Sequence, residues 1–413
     1  MSHEVALERY AELIVRKGCN IQPGQSLYLG ADAESRDFTI KVVEAAYQAG
    51  ARFVHVDLGD DRIQRSRILH SQQEEFLDHI PRSLPIRFDE AVEEQGAMLR
   101  LVGSSDPAAL SGLDGERTNR CRIAGHKAAT RFYDDGIGRS AVQWCVASAA
   151  TIGWAQSIFD DLEGVEARDE LWKQLLTIVR ADREDCLGAW DRHNQQLKSR
   201  GKALNSLQID RLQFSGPGTD LTVGLSAAAR FEGGGSLSQR GHEFIPNLPT
   251  EEVFTTPDYR KTEGHVRVTR PFLVNGTLVE GLTLEFNGGV LSDFTAESGA
   301  ETFRSYIDSD EGARRLGEVA LVGIDSPVYQ SGHVFREILL DENAACHIAV
   351  GNAYKTCLEG GVEMTSEQLE AIGWNSSTAH TDMMISNEEV NVTAVTLSGD
   401  EVPLLVNGAW VSE

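Results

Sequence analysis

The chain has 413 residues, which is enough for two or more domains of about 100–200 residues each. Hydrophobic residues make up 41% and charged residues 24%, the composition of a globular protein that can bury a sizeable core. The formal charge of −25 argues against nucleic acid or an anionic membrane as partner, because both would repel the chain, and it suits a cationic ligand such as a metal ion.

The N-terminal stretch MSHEVALERYAELIVRKG is charged and amphipathic, and Leu7, Leu13 and Ile14 mark a first helix in it. No later run approaches the roughly 18 apolar residues that a membrane span requires. The 6 cysteines are scattered without a C-x-x-C pair, so neither a zinc ribbon nor a dithiol redox site is indicated. We therefore expect a soluble cytoplasmic protein with free thiols.

The first half of the chain alternates strand-like and helix-like segments. The strand-like runs are SLYLG, RFVHVDL and MLRLVG, and the segment FTIKVVEAAYQAG between the first two predicts a helix closed by Gly50. Alternation of this kind is typical of a mostly parallel sheet flanked by helices. The segment from Leu171 then predicts one long helix or two short ones ending at Gly201.

From about Ser206 the residue pattern changes to short strand-like runs separated by glycines, among them SLQIDRLQF, TDLTVGL and VNVTAVTLSGD. Asn275-Gly276 and Asn287-Gly288 lie between apolar runs and predict hairpins, because both residue types tolerate the positive φ of a tight turn. We place a domain boundary near residue 205. The sequence thus predicts an α/β domain over residues 1–205 and a β-rich α+β domain over residues 206–413.

Nucleotide and serine-nucleophile sites find no support. The glycine-containing stretches lack the G-x-G-x-x-G and G-x-x-x-x-G-K-[ST] spacings that cradle phosphates. No G-x-S-x-G elbow is present for a serine nucleophile.

Near the C-terminus, the run NSSTAHTDMMI places His380 two residues before Asp382. In a strand, alternate side chains share a face, so both would point the same way while Thr381 points to the other side. A single His-x-Asp pair is weak support for a metal site, and its meaning depends on ligands from elsewhere.

Further carboxylates and an imidazole stand beside apolar residues in the second half. Glu251 and Glu252 precede a strand-like pair, where alternation would turn one to each face, and Glu318 stands at the mouth of another strand-like run. Glu342 and His347 are five residues apart, so a break after Asn343 is needed for both to face one centre. Such a set suits two divalent ions about 3.5–4 Å apart, which need several anionic oxygens and a bridging carboxylate.

Four stretches in this order, LPTEEVFTTP, GEVALVG, DENAACHIAVGNAY and NSSTAHTDMMI, resemble the M29 family of metallo-aminopeptidases, the thermophilic aminopeptidase T group. PGQSLYLGAD near the start and GTDLTVGL after the predicted boundary are also similar to that family. The likeness runs over nearly the whole chain.

The resemblance implies a metallo-aminopeptidase of the EC 3.4.11 class that acts on peptides with a free N-terminus through a two-metal-activated water. It also implies a homodimer and two divalent ions, zinc, cobalt, manganese or magnesium. The metal ligands that it implies are Glu252, Glu318, Glu342, His347, His380 and Asp382. The resemblance also implies that Tyr354 lies near the reacting carbonyl. As bridge or base we expect Glu318 first and Glu251 or Glu252 second, so Glu318 and Tyr354 are the predicted catalytic residues.

Two other functions stay open from the sequence. A mononuclear iron ring-cleaving dioxygenase would need only His347, His380 and Asp382, although it would leave the remaining glutamates without a use. An acidic metal-buffering protein would need the same ligands but no use for Tyr354. His333 stands where the family pattern predicts an apolar or small residue, and it is either a surface residue or a substrate contact.

Overall fold

The structure, a computed structural model, describes residues 3–411. The chain forms two compact units: the first holds the chain up to Trp190 together with Gly235–Pro249, and the second holds Asp191–Gly234 and the chain from Thr250 onward. The boundary between the two units after Trp190 lies inside the helix Cys186–Ser206. This helix ends at Ser206, where the strand-like part of the sequence begins. The domain boundary near residue 205 stays a prediction.

The first unit contains a five-stranded sheet whose neighbouring strands all run parallel. Their order across the sheet is Asn247–Leu248, Gln143–Ser148, Ala97–Val102, Ser26–Asp32 and Phe53–Gly59. The predicted parallel sheet of the α/β region is therefore confirmed, and its three predicted strands are among these five.

Helices alternate with the strands of this unit, and three of them begin at side-chain caps supplied by Asp60, Asp114 and Thr151, as where the Asp60 carboxylate accepts from the Arg62 amide. Gly50, at φ +97°, follows the second α-helix and closes it as predicted. The α-helices are His3–Leu13, Arg36–Gln48, Asp61–His70, Ser83–Glu93, Gly115–Ala128, Ile152–Ile158 and Gly164–Ile178. Shorter turns of helix are Ile14–Gly18, Ala33–Ser35, Glu74–Leu77 and Phe132–Ile137, and Ser236–Leu237 pairs with Glu243–Phe244.

The predicted helical end at Gly201 is wrong. Two helices form, and the second, Cys186–Ser206, continues five residues beyond Gly201. A Cβ at position 201 would lie 3.1 Å from the Phe231 carbonyl oxygen, so the glycine permits close packing there instead of ending the helix. Asn205 secures the contact, since its side chain accepts from the Phe231 amide at 2.7 Å and donates to the Phe231 carbonyl at 3.0 Å.

The second unit contains an eight-stranded antiparallel sheet. In order, its strands are Val290–Thr295, Thr283–Asn287, Pro257–Arg267, Thr219–Leu225, Ile209–Gly216, Asn391–Thr396, Glu401–Val406 and Ala409–Trp410. Both predicted hairpins form. Asn275-Gly276 turns between Phe272–Val274 and Thr277–Val279 with positive φ at both residues. The second hairpin turns one residue later than predicted, at Gly288-Gly289, because Asn287 pairs with Val290 inside the ladder.

A second antiparallel sheet in this unit has five strands, in the order His380–Met384, His347–Gly351, Leu316–Leu321, Val253–Thr255 and Glu232–Gly233. Val319, Ile348 and Met383 lie opposite one another across its strands and are fully buried in the hydrophobic core of the unit. Since side chains alternate between faces, the neighbouring positions in these strands point away from that core.

The helices of the second unit are short and connect these strands. They are Ala300–Ile307, Pro327–Gln330, Ile338–Asp341 and Ser366–Ala371, with single 3₁₀ turns at Glu311–Arg314, Glu342–Ala344, Lys355–Cys357 and Gly361–Glu363. Throughout residues 3–411, no helix has the length and apolar character needed to cross a membrane.

Candidate metal centre

Glu318, Ala349 and Asp382 form a row across three strands of the five-stranded sheet of the second unit. Glu318 pairs with Ala349, and Ala349 pairs with Asp382 on its other side. The three side chains therefore share the sheet face opposite the core, with the alanine between the two carboxylates. Because Ala349 is small and fully buried, it leaves space between two carboxylates that are themselves 4% and 7% exposed.

His347 and His380 lie on the same face, two residues along their strands from Ala349 and Asp382. Each ring is oriented by a hydrogen bond from Nδ1 to a main-chain carbonyl, His347 to Ala345 at 3.1 Å and His380 to Asn352 at 2.8 Å. A carbonyl only accepts, so Nδ1 carries the proton in both rings and Nε2 is directed toward the carboxylates.

Glu251 and Glu252 come just before the strand Val253–Thr255 and turn to different partners. Glu252 Oε2 lies 3.0 Å from His347 Nε2, whereas Glu251 Oε2 lies 3.3 Å from His193 Nε2. The Asn343 side chain accepts from the Glu251 amide at 2.6 Å, which ties this segment to the chain next to Glu342. The alternation of side chains along the strand thus brings Glu252, and not Glu251, to the row of ligands.

Glu342 reaches the site through the expected break in the chain. The helix Ile338–Asp341 gives way to the 3₁₀ turn Glu342–Ala344, and the strand that begins at His347 follows. Glu342 is 8% exposed, and burial together with the charges of Asp382 and Glu252 raises its pKa well above the ordinary value.

The potential ligand atoms come together in two groups, in each of which the atoms all lie within 4.8 Å of one another. The first group is Glu252, Glu318 and His347, and the second is Glu318, His380 and Asp382. Glu318 belongs to both groups. Its strand, Leu316–Leu321, is the middle one of the five, so Glu318 can reach Glu252 on the side of Val253–Thr255 and the ligands of the two strands on its other side.

The electrostatics of the cluster favour a cation. Burial and the neighbouring charges of Asp382 and Glu252 raise the pKa of Glu318 to about 7, although His380 opposes the shift. Burial alone would lower the pKa of His380, yet Asp382 and Glu318 raise it to about 9. Four buried carboxylates face only two imidazoles, so divalent cations would offset charges that otherwise disfavour one another. The donor set fits metal ions in its charge, burial and mixture of carboxylate and imidazole.

For the protein stripped of metal, these pKa shifts predict lower thermal stability at higher pH. Folding raises the pKa of Glu318 from 4.5 to about 7, so the free energy of unfolding falls as the pH rises through this range. Folding also raises the pKa of His380 from 6.5 to about 9, which extends the fall to about pH 9. We expect the Tm of the chelated protein to fall by several degrees between pH 5 and pH 9 in differential scanning calorimetry.

Glu318→Gln removes one of these titrations and one of the charges that raise the pKa of His380, so it should make that fall shallower. A Tm of the chelated protein that stays level or rises over the same range would contradict the assignment.

Tyr354 lies beside the second ligand group, whereas His333 belongs to neither group. The Tyr354 ring centroid is 5.3 Å from that of His380, with the ring of Phe254 on another side at 5.7 Å, and 39% of the residue is exposed. The packing around its hydroxyl and the nearby carboxylate charges raise its pKa well above the usual value, so the phenol keeps its proton. His333 belongs to neither ligand group, and its ring packs against that of Phe335.

Three supporting residues were missed by the sequence reasoning. Ala349 provides space between carboxylates, Asn343 anchors the Glu251 amide, and the Asn352 carbonyl orients a histidine ring. A buried alanine, a buried asparagine and a main-chain carbonyl are common in any sequence. Strand pairing distinguishes Ala349, and hydrogen bonds to distant residues distinguish Asn343 and Asn352, so no local signal could have found them.

The chain is similar to known proteins over nearly its whole length. The family model described as thermophilic metalloprotease (M29) matches residues 3–410. Aminopeptidase T of Thermus aquaticus is 42% identical over 405 residues, 98% of each chain, and aminopeptidase 2 of Geobacillus stearothermophilus is 38% identical over 410 residues, 99% of this chain and 98% of the relative. The solved structure of wild-type AmpT from Thermus thermophilus superposes with a TM-score of 0.92 at 39% identity and covers 100% of both chains.

Proposed function

This chain belongs to the M29 family of thermophilic metalloproteases, and on that premise we propose that it is a metal-dependent aminopeptidase, a hydrolase of the EC 3.4.11 class. The resemblance predicted from the four C-terminal motifs is thereby confirmed. The observation that carries the finer proposal, a two-metal centre, is that Glu318 belongs to both ligand groups.

In this proposal, Glu252, Glu318 and His347 hold one ion, and Glu318, His380 and Asp382 hold the other. Carboxylate and imidazole donors accept zinc, cobalt, manganese or magnesium, and availability decides among them. When bound, such ions polarise the scissile carbonyl and lower the pKa of a water. Glu318 bridges the two groups, which is the role its central strand supports.

Glu342 stands outside both ligand groups, and for this residue we modify the prediction of a metal ligand. Its buried carboxyl has a raised pKa, and the charges of both groups act on it. Because the raised pKa makes this carboxyl a better proton acceptor than an ordinary glutamate, it suits proton transfer from the attacking water to the leaving amine. Tyr354 retains its phenolic proton beside His380 and can donate a hydrogen bond to the oxyanion that forms on the carbonyl.

The substrate in this proposal is a peptide with a free N-terminus. The carboxylates of the cluster attract a protonated N-terminal amine and repel a C-terminal carboxylate, whereas a neutral amine would bind to the ions through its lone pair. The 6 cysteines are free and buried, which suits the reducing cytoplasm that we propose as the location. A homodimer without nucleic acid or membrane partners remains part of the proposal.

The mononuclear iron dioxygenase finds no support. The relatives in Thermus aquaticus and Geobacillus stearothermophilus are named aminopeptidases, and the family is one of metalloproteases. The geometry also separates the proposed iron ligands, because His347 and His380 fall into different ligand groups among the described residues. A one-iron site would leave Glu252 and Glu318 buried beside it without a role.

Metal removal tests the proposed function. Chelated protein should release no amino acid from Leu-, Arg-, Phe- and Glu-initiated peptides, and reloading with zinc, cobalt, manganese or magnesium should restore release with at least one metal. Mass spectrometry of the products should show loss of the N-terminal residue. The same peptides with an acetylated N-terminus are the control, because the blocked amine should prevent cleavage.

Cleavage of the acetylated peptides at the same rate, or full activity of the chelated protein, would refute an N-terminal metallopeptidase. Oxygen uptake by the iron-loaded protein with a hydroxylated aromatic ring would instead support the dioxygenase.

A further inference from the structure

The hydroxyl of Tyr306 makes two hydrogen bonds to the main chain of one metal-ligand candidate. It donates to the His380 carbonyl at 2.9 Å and accepts from the His380 amide, also at 2.9 Å. A phenol has one donor and can accept at the same oxygen, so a single side chain satisfies both polar main-chain groups of His380.

These bonds occur at the edge of a sheet. The strand His380–Met384 is the outermost of its five-stranded sheet in the part of the chain that the structure describes, and it pairs with His347–Gly351 on its inner side. An edge residue in an antiparallel ladder directs alternate amide and carbonyl pairs away from the neighbouring strand. For His380, the Tyr306 hydroxyl takes the place that another strand would occupy.

His380 is also held from the inner side. Its Nδ1 donates to the Asn352 carbonyl, and the Asn352 amide donates to the Ala379 carbonyl at 2.8 Å. Asn352 therefore fixes the ring and the preceding peptide, while Tyr306 fixes the peptide groups of His380 itself. The two contacts together determine where Nε2 points.

Tyr306 lies on an element that is anchored independently of the ligands. Its helix, Ala300–Ile307, buries Phe303 and Ile307 in the core of the unit, and the Phe303 ring packs edge-on against that of Phe294 at 5.0 Å. A side chain on a helix fixed by buried aromatic packing is well placed to position another residue.

A second anchor joins the same two segments. The Asp310 carboxylate accepts from the Ser377 hydroxyl and from both the amide and the hydroxyl of Thr378, each at 2.8 Å. The chain that leads into His380 is therefore held through three polar groups of Ser377 and Thr378 by the segment that follows the Tyr306 helix.

We infer that Tyr306 is a positioning residue for the second ligand group, Glu318, His380 and Asp382, and that its hydroxyl strengthens binding of that ion but not of the ion at Glu252, Glu318 and His347. The inference rests on the proposed two-metal centre and deepens it. Without the hydroxyl, the His380 peptide groups lose both bonds at the sheet edge, while the hydrogen bond from the ring to the Asn352 carbonyl remains. Loss of such outer contacts typically weakens metal binding by about 10- to 100-fold.

Tyr306→Phe tests this inference, because it removes one oxygen and keeps the ring that packs on the core. Chelated wild-type and variant proteins are titrated with zinc in competition with a chromophoric chelator, which reports the number and affinity of the sites. We expect two ions in wild type, and in the variant one ion at wild-type affinity and one bound about 10- to 100-fold more weakly. Peptidase turnover of the variant should be low at limiting zinc and recover as zinc is raised.

Tyr329→Phe is the matched control. Tyr329 is also half-buried in this unit, and its hydroxyl bonds the carboxylate of Glu388 outside the ligand groups. This variant should match wild type in both zinc affinities. Circular dichroism and thermal unfolding of the metal-free proteins show whether both variants keep the fold, which is expected because only a hydroxyl is lost.

The outcomes separate the two claims. A wild-type protein that takes up fewer than two zinc ions overturns the proposed centre. Two sites in wild type, with both affinities of Tyr306→Phe unchanged or both weakened equally, overturn the inference about Tyr306 and leave the centre standing.

Discussion

Replacing Glu318 with Gln should abolish peptidase activity, lowering turnover at least about a thousandfold, and should weaken both metal sites at once. Gln keeps the size of Glu318 but removes the negative charge that both ligand groups share. Bound metals contribute several kcal/mol to charge stabilisation in hydrolysis, and about 4 kcal/mol corresponds to a thousandfold. Metal content after gel filtration and the turnover number together measure the effect.

Glu285→Gln makes the same chemical change at an exposed position on the strand Thr283–Asn287 of the same unit. It should bind two ions and retain full turnover. A Glu318→Gln protein that binds one ion with wild-type affinity would show that this glutamate serves a single site, and the bridge would have to be sought elsewhere.

Replacing Tyr354 with Phe should lower kcat by about 10²- to 10³-fold while the metal content and KM stay close to wild type. Loss of one oxyanion donor costs about 3–4 kcal/mol of transition-state stabilisation. The Phe ring preserves the packing against His380 and Phe254, so the ligands are not disturbed. Steady-state kinetics on a Leu-initiated peptide, with metal analysis of the same samples, check this prediction.

Tyr259→Phe is a suitable control, because the Tyr259 ring packs against the Arg315 guanidinium away from the ligand groups and needs no hydroxyl for that contact. Its kcat should be unchanged. Unchanged kcat in Tyr354→Phe would remove Tyr354 from the catalytic residues, and a loss of metal in that variant would show that it acts by supporting a ligand.

Local patterns in the sequence predicted much of this fold because they report local physics. Alternation put His380 and Asp382 on one face of a strand, and the need to interrupt a helix after Asn343 is met by the short turn that precedes His347. Gly201 was misjudged because a glycine that ends a helix and a glycine that permits close packing look the same in sequence. Only the contact with Phe231 distinguishes them.

The arrangement of the centre depends on pairings between distant segments. Nothing near Val253–Thr255 indicates that it lies beside Leu316–Leu321, or that Ala349 lies between Glu318 and Asp382. The family resemblance supplied the ligand set, whereas the division into two groups that share Glu318 follows from strand order. Long-range pairing of this kind is set by the packing of the whole unit.

The shared position of Glu318 has a thermodynamic consequence for how the proposed centre fills. In the proposed centre, the first ion would order a carboxylate that the second ion also needs and would add positive charge nearby, so the two binding free energies would not be independent. Any change that one ion makes in the affinity of the other is matched by an equal change in the reverse direction. Occupancy of each site would then depend on the concentrations of both metals. In a mixture of two metals, one combination of ions could be favoured even if each site alone bound both metals with equal affinity.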